Sequence, residues 1–346
     1  MASAARHLKF TGGLPGQADT LVASLEHRSI QLLRHQLHEV DFTEHAAALA
    51  TTRTLCQADI MSGGTAWRAH LAGARAILHA AGPIYPSSGG GSRDPVALFL
   101  SSWYHNADAL TALTPLGMTR GQLEADSRES EPVYFDVFGG VASDLPDLFR
   151  EVGALVMERR RKDAPGESEH CSLLSEDDIL QEADELVQEI HSRLSRDAVG
   201  NLRLSESLRF SLSRDNIHDY ALSNIGFLHT ALLHVHCRIR MLSSTAPEVQ
   251  RSVQQIIWCA ENMKSSSALS PTVLLITPLF NAGLWAVSSA RPAIQEAFRR
   301  IMTWMRTVHV QKAVTLLEDI SSTILDDPEQ DVWSYLEHNS PEFLPY

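Results

Sequence analysis

Histidine, cysteine and carboxylate side chains are the groups best able to hold a metal or move a proton, and their spacing decides whether they can act together. The chain has 16 histidines and 4 cysteines. The densest group is His234-Val235-His236-Cys237. On a helix the two histidines project about 200° apart, so only His234 and Cys237, three apart, share a face, and two donors do not make a tetrahedral metal site. His218-Asp219 sets an imidazole beside a carboxylate, but no second ligand follows at helical spacing, and a cap or loop role accounts for the pair. The sequence contains no Gly-x-Ser-x-Gly, no Gly-x-x-x-x-Gly-Lys-Ser/Thr and no His-Glu-x-x-His, which removes support for three large enzyme classes. Gly89-Gly90-Gly91 lies between serines with no strand before it and reads as a linker, not as a dinucleotide-binding loop. Six residues, Trp67, His70, Trp103, His105, Phe280 and Trp285, sit on expected helices from which they could surround a small effector. The same residues at helical spacing also suit an ordinary core, and no nucleophile, base or oxyanion donor accompanies them. They form a candidate effector pocket; the sequence assigns no catalytic residue, metal ligand or cofactor.

The scaffold that must position these groups is set by composition. A chain of 346 residues, 44% hydrophobic and 21% charged, can bury a sizeable core and is neither disordered nor fibrous. Its formal charge of −13 argues against a DNA-binding surface spread over the whole molecule. The cysteines, Cys56, Cys171, Cys237 and Cys259, are too scattered for a disulfide framework and point to a reducing compartment. Met1 to Phe10 lacks the apolar core of a secretory signal. The most apolar stretch, Thr272 to Val287, is too short to span a membrane and is interrupted by Pro278 and Asn281.

Apolar residues recur three and four apart and alternating β-branched runs are missing, so the expected class is all-α: one large domain of antiparallel packed helices with a few long surface loops. Asp41-Phe42-Thr43-Glu44 fits a capping box that starts a helix running past Leu55. Trp67, Leu71, Ala74 and Leu78 trace a helix ending near Ala81-Gly82-Pro83, and Val96 to Leu110 traces another, closed by Thr114-Pro115-Leu116-Gly117. A helix is expected from Asp144 to Arg160, and Ser175-Glu176-Asp177-Asp178 looks like the start of the next, with acids favourably placed against the helix dipole. Arg159-Arg160-Arg161-Lys162 reads as a cation cluster opposing a C-terminal dipole, with a nuclear-import or DNA patch as the other reading. Ile225, Leu228, Leu232, Val235, Ile239 and Leu242 mark one face of a long helix, destined for a core or an interface. Thr245-Ala246-Pro247-Glu248 supplies a second capping box, and helices follow at Pro271 to Ser288, Pro292 to Val308 and Val310 to Leu325. The expected organisation is an N-terminal extension over 1–40, a helical domain over 41–325 and a tail over 326–346.

Trp67-Arg68-Ala69-His70-Leu71-Ala72-Gly73-Ala74 resembles the Trp-x-x-His-Leu-x-Gly-Ala helix of the fungal-specific transcription factor domain, the helical regulatory region of zinc-cluster regulators. Leu55 to Ile60 is similar to that family's preceding helix. Thr277-Pro278-Leu279-Phe280-Asn281-Ala282-Gly283, with Arg291, resembles its Pro-Leu-Phe-x-Ala-Gly segment and following arginine. His229 to His234 and Pro247 to Gln250 sit where the family places its long helix and the next helix start, so the resemblance covers roughly Glu44 to Ile324. Read physically, Gly73 and Ala74 would permit close helix approach, Trp67 would fill core space and His70 could bond across helices. Trp285 stands where the family commonly has a polar or acidic residue, and Ile320 where a tryptophan is often seen.

The resemblance implies a nuclear regulator, with the cytoplasm as the alternative, that works through proteins of the transcription machinery, a related regulator or a small-molecule effector. It also implies genes of a metabolic or secondary-metabolite cluster as targets. The family's binuclear zinc cluster takes six cysteine thiolates, which four scattered cysteines do not supply, so no direct DNA contact through a zinc cluster is expected of these 346 residues, and no membrane contact. Two rival readings are a biosynthetic enzyme or ligand-binding protein that reuses the scaffold, and a helical partner that forms inactive heterodimers with full-length relatives.

Overall fold

The computed structural model describes residues 18–38, 45–81, 95–119, 122, 133–137, 139–163, 174–204, 211–264, 271–305, 307–326, 332–340 and 342–344. Nearly all of them are helical, as the apolar periodicity predicts. The chain divides into two compact units: Met1–Asp108 with Arg306–Lys312, and Ala109–Met305 with Ala313–Tyr346.

The first unit contains α1 (Ala18–His38), α2 (His45–Met61), α3 (Trp67–Ala81) and α4 (Pro95–Leu110) up to Asp108, together with the first residues of α11 (Val308–Asp326). α2 runs past Leu55 as expected; the Asp41–Glu44 box, Gly82-Pro83 and the Gly89–Gly91 loop lie outside the described residues. α2 and α3 pack along their length and are joined by a tight turn, in which Gly63 takes φ +69° and Gly64 donates its N–H to Asp59 O at 2.9 Å. A Cβ at Gly64 would lie 2.1 Å from an oxygen of the Asp59 carboxylate, so a side chain there would force Asp59 to move. Gly73 is different: a Cβ there would meet only Thr52 Cγ2, at 4.0 Å, so close helix approach does not depend on it. Trp67 and Ala74 are core residues, as expected.

The second unit holds α5 (Leu145–Asp163), α6 (Glu176–Arg196), α7 (Arg214–His234), α8 (Pro247–Asn262), α9 (Ile276–Trp285), α10 (Arg291–Trp304), the rest of α11 and α12 (Val332–Asn339). A small hairpin of β1 (Phe135–Asp136) and β2 (Val141–Ala142) pairs Phe135 with Ala142 and Asp136 with Val141. Ser175 starts α6, as expected, and closes a capping box that the sequence reading did not name: its hydroxyl accepts from Asp178 N at 3.0 Å and Asp178 Oδ2 accepts from Ser175 N at 2.9 Å.

α7 is the axis of this unit. It packs against α5, α6, α8, α9 and β2, and every residue from Ala221 to His234 is buried, so it is enclosed on all faces rather than along one stripe. The stripe Ile225 to Ile239 is thus core. Two expectations are corrected here. The helix does not run in α register to Leu242: at Val235–Ile239 it widens into a π-helical turn, with Arg240 N bonding Val235 O at 2.9 Å, and Met241 at φ 56° ends it. The second capping box does not form either. Ala246 is the N-cap of α8, with no side-chain bond, because Pro247 presets the first helical residue and Ala246 N closes a turn onto Ser243 O at 2.9 Å.

The arginine-rich end of α5 is tied down within the unit. Arg159 pairs with Asp163 (3.4 Å) and Glu176 (2.6 Å), Arg160 with Glu337 and the Pro115 carbonyl (2.6 Å), and Arg161 with Glu158. At the far end of α6, Arg196 bonds Asp144 and the buried Asp197, each at 2.7 Å, and Asn224 of α7 links Asp197 (3.1 Å) to Ala142 N of the hairpin (2.8 Å). The two carboxylates hold the Arg196 guanidinium well above its ordinary pKa.

Two glycine-to-alanine substitutions should move in opposite directions. Gly153 of α5 is buried, and a Cβ there would lie 2.9 Å from both Ala112 Cβ and Met118 Sδ. Gly153→Ala is expected to cost about 1–2 kcal/mol, overpacking outweighing the gain in helix propensity. Gly73→Ala, with room for its methyl, should gain up to about 1 kcal/mol. Urea denaturation of both variants checks the pair.

Candidate functional site

Of the six residues of the candidate pocket, Trp67, His70, Trp103 and His105 fall in the first unit and Phe280 and Trp285 in the second. In the first, Trp67 opens α3; its carbonyl accepts the Cys56 thiol at 3.7 Å and the Arg68 guanidinium lies 4.5 Å over its ring. Trp103 is buried on α4, where Arg53 of α2 reaches both its ring (5.8 Å) and that of Phe99 (5.1 Å). His105 stands edge-on to Tyr104, centroids 5.4 Å apart. His70 is half-buried and makes no hydrogen bond across helices among the described residues; burial lowers its pKa against the charges of Asp59 and Glu26. The polar link that does cross helices here is one the sequence reading missed: Arg75 of α3 donates to the Tyr104 hydroxyl (2.9 Å) and to the buried Asp108 (3.3 Å).

In the second unit Phe280 and Trp285, both on α9, lie beneath the C-terminal segment. Phe343 packs edge-on to Phe280 at 5.1 Å, and Trp333 of α12 lies 6.3 Å from Trp285. Trp333 also meets His234 at 5.5 Å and carries the Arg238 guanidinium 4.1 Å above its ring. Below the ring is a buried polar relay whose hydrogens can be placed by elimination. Arg238 can only donate, so the contact of its Nη1 with His234 Nδ1 (3.3 Å) makes that nitrogen the acceptor. The histidine proton therefore sits on Nε2 and is donated to Asn281 Oδ1 at 2.8 Å, while Asn281 Nδ2 donates to Thr277 O at 3.0 Å. Arg238 Nη1 also reaches Ala112 O at 3.2 Å. Burial first, and the Arg238 charge second, press the His234 pKa down to about 3, so the ring is neutral and fixed in one tautomer.

His234 is engaged with Asn281, and no group of three or more potential ligands gathers among the described residues. His218-Asp219 lies inside α7, not in a cap or loop; the Asp219 carboxylate accepts Lys264 N at 2.9 Å just beyond α8, and burial raises its pKa. Cys56, Cys237 and Cys259 are buried free thiols, with burial pushing Cys56 and Cys259 up to about 12. Arg238 and Trp333 escaped the sequence reading, although the four-residue step from His234 to Arg238 was a usable signal.

A separate cleft lies where Gly283 of α9 meets α10 and α11. It is lined by Gly283, Arg291, Ile294, Phe298, Val314 and Leu317, with Glu318 beside them, and has room for little more than a water molecule. Among the described residues no helix is long and apolar enough to cross a membrane.

The fold is all-α, and the polar groups brought together in its interior join helices to one another. A model of the fungal-specific transcription factor domain matches residues 1–320, and the chain belongs to that family. No curated protein and no solved structure matches it.

Three buried histidines give the protein a pH signature. Burial lowers His234 to about 3 and His229 and His309 to about 4, all below the unfolded value near 6.5. The unfolded chain therefore binds protons that the folded chain refuses; stability is complete above pH 6.5 and falls as the pH drops towards 4 and 3, by about 1.4 kcal/mol per pH unit for each histidine. Urea midpoints recorded from pH 7.5 to 4 should show this slope, and His234→Gln should make it shallower.

Proposed function

We propose that this chain is a nuclear transcription regulator acting through protein contacts or a small effector. The observation that carries this reading is the family match, which takes in nearly the whole helical body. The regulated genes, on this reading, form a metabolic or secondary-metabolite cluster. Partners would be proteins of the transcription machinery or a related regulator that supplies the DNA contact. Two physical features support such indirect recruitment: a net charge of −13, and an arginine-rich helix end already paired with carboxylates.

Deletion of the gene is expected to change transcript levels across a co-regulated gene set, with the tagged protein found in nuclei and co-purifying with a zinc-cluster protein. Unchanged transcripts with accumulation of a pathway intermediate would instead assign the scaffold to an enzyme or ligand-binding role.

A further inference from the structure

Trp258 stands apart from the other tryptophans whose burial is described. Trp67, Trp103, Trp285 and Trp333 are core residues, whereas Trp258, towards the C-terminal end of α8, is 43% exposed. The inner face of α8 is already filled: Val249, Val253, Ile256, Ile257 and Ala260 are buried where the helix packs on α7, α9 and α10. Trp258 belongs to the outer face, and tryptophan and arginine are the residue types on which interfaces concentrate their energy.

Arg251, Gln254, Trp258 and Glu261 are all exposed and follow one another at steps of three, four and three. On an α-helix they fall within an arc of about 80°, one straight stripe along the outer face. Arg251 and Glu261 form no ion pair among the described residues. Their order makes the stripe self-complementary. Steps of three and four are those of a coiled-coil seam. With a second copy of α8 laid antiparallel on the first, about a two-fold axis at Ile256, Arg251 of each copy faces Glu261 of the other, and Trp258 of each lies on Gln254 of the other. A parallel pairing would set Arg251 on Arg251 and Glu261 on Glu261, like charges that repel. The stripe carries one charge of each sign, so the −13 of each chain acts from outside the contact, where salt screens it.

We propose that the outer face of α8 is a self-association surface, on which two copies of this chain pair antiparallel with both Trp258 rings at the centre and an Arg251–Glu261 pair at each end. Charge complementarity along the stripe selects a second copy as the occupant. The helix has 16 residues and is about 24 Å long. One helix pair of that length buries less than the roughly 1,200 Å² of a lasting complex, so the dimer is weak and reversible, with a Kd of about 10–100 μM. Self-pairing is independent of the regulator reading, which transcript levels test separately.

The test is sedimentation velocity of the full 346-residue chain from about 1 to 300 μM in about 0.15 M salt. A monomer–dimer equilibrium is expected. Trp258→Ala should weaken it at least about tenfold, and Arg251→Glu and Glu261→Arg should each do the same. Combining the two reversals in one chain, or mixing the two single variants, re-forms opposite-charge pairs at both ends and should restore association. A wild-type chain that is monomeric at about 300 μM would overturn the proposal, as would association that Trp258→Ala and both reversals leave unchanged, or combined reversals that do not restore it. Circular dichroism checks that each variant folds; should Trp258→Ala not fold, the charge reversals and their rescue decide. A wild-type chain that stays monomeric while Trp258→Ala loses a co-purifying protein assigns the face to a different partner and equally overturns self-pairing.

Discussion

A helix enclosed on every side has no water to satisfy its polar side chains, and α7 is such a helix from Ala221 to His234. Most of the polar groups it carries find a partner, on a neighbouring element or on the helix's own backbone, and the partners on neighbouring elements hold the second unit together; Ser223 Oγ is buried with none among the described residues. Asn224 joins the hairpin, through Ala142 N, to Asp197 at the end of α6. His234 joins α7 to α9 through Asn281. Thr230 turns its hydroxyl back onto Gly226 O at 2.9 Å and needs nothing external. These bonds add modest net stability but impose register, because a slip of one residue would leave a buried donor or acceptor unpaired at a cost of about 1–3 kcal/mol.

The π-helical turn follows from the same constraint. In this register Arg238 reaches His234 Nδ1, the Ala112 carbonyl and the face of Trp333 together. A neutral histidine is what such a site needs, since an imidazolium facing the guanidinium would add a second uncompensated charge. The depressed His234 pKa and the tautomer assigned from the hydrogen bonds are therefore two views of one arrangement. Through Trp333 the arrangement also fixes the C-terminal segment, whose Phe343 covers Phe280.

Much of this was legible in the sequence, and what was not has definite causes. Helix identity followed from three- and four-residue spacing, and the helix start at Ser175-Glu176-Asp177-Asp178 from its acids, because both are short-range. The π turn was not visible, since Val235 and Ile239 continue an α-helical stripe and the widening is set by what Arg238 meets from distant elements. The second capping box failed for a local reason: Pro247 claims the first helical position and shifts the cap to Ala246. Partners far apart in sequence, such as Arg238 with Trp333 or Arg75 with Asp108, carry no spacing signal. Of the candidate pocket residues, burial of Trp67, Trp103, Phe280 and Trp285 was legible from their helical stripes. Their partners were not.

The four cations at the end of α5 show how the fold can spend charges that look free in the sequence. Taken alone, Arg159-Arg160-Arg161-Lys162 has the composition of a DNA or import patch. In the fold three of them pair with carboxylates, and Lys162 approaches the Leu174 carbonyl at 3.4 Å. A phosphate competing for Arg160 would have to displace Glu337 and two backbone carbonyls, Pro115 and Leu116. Non-specific DNA affinity rests on cations free to replace condensed counterions, and this cluster offers few in a molecule of net charge −13. Attraction to nucleic-acid phosphates through this helix end is therefore weak.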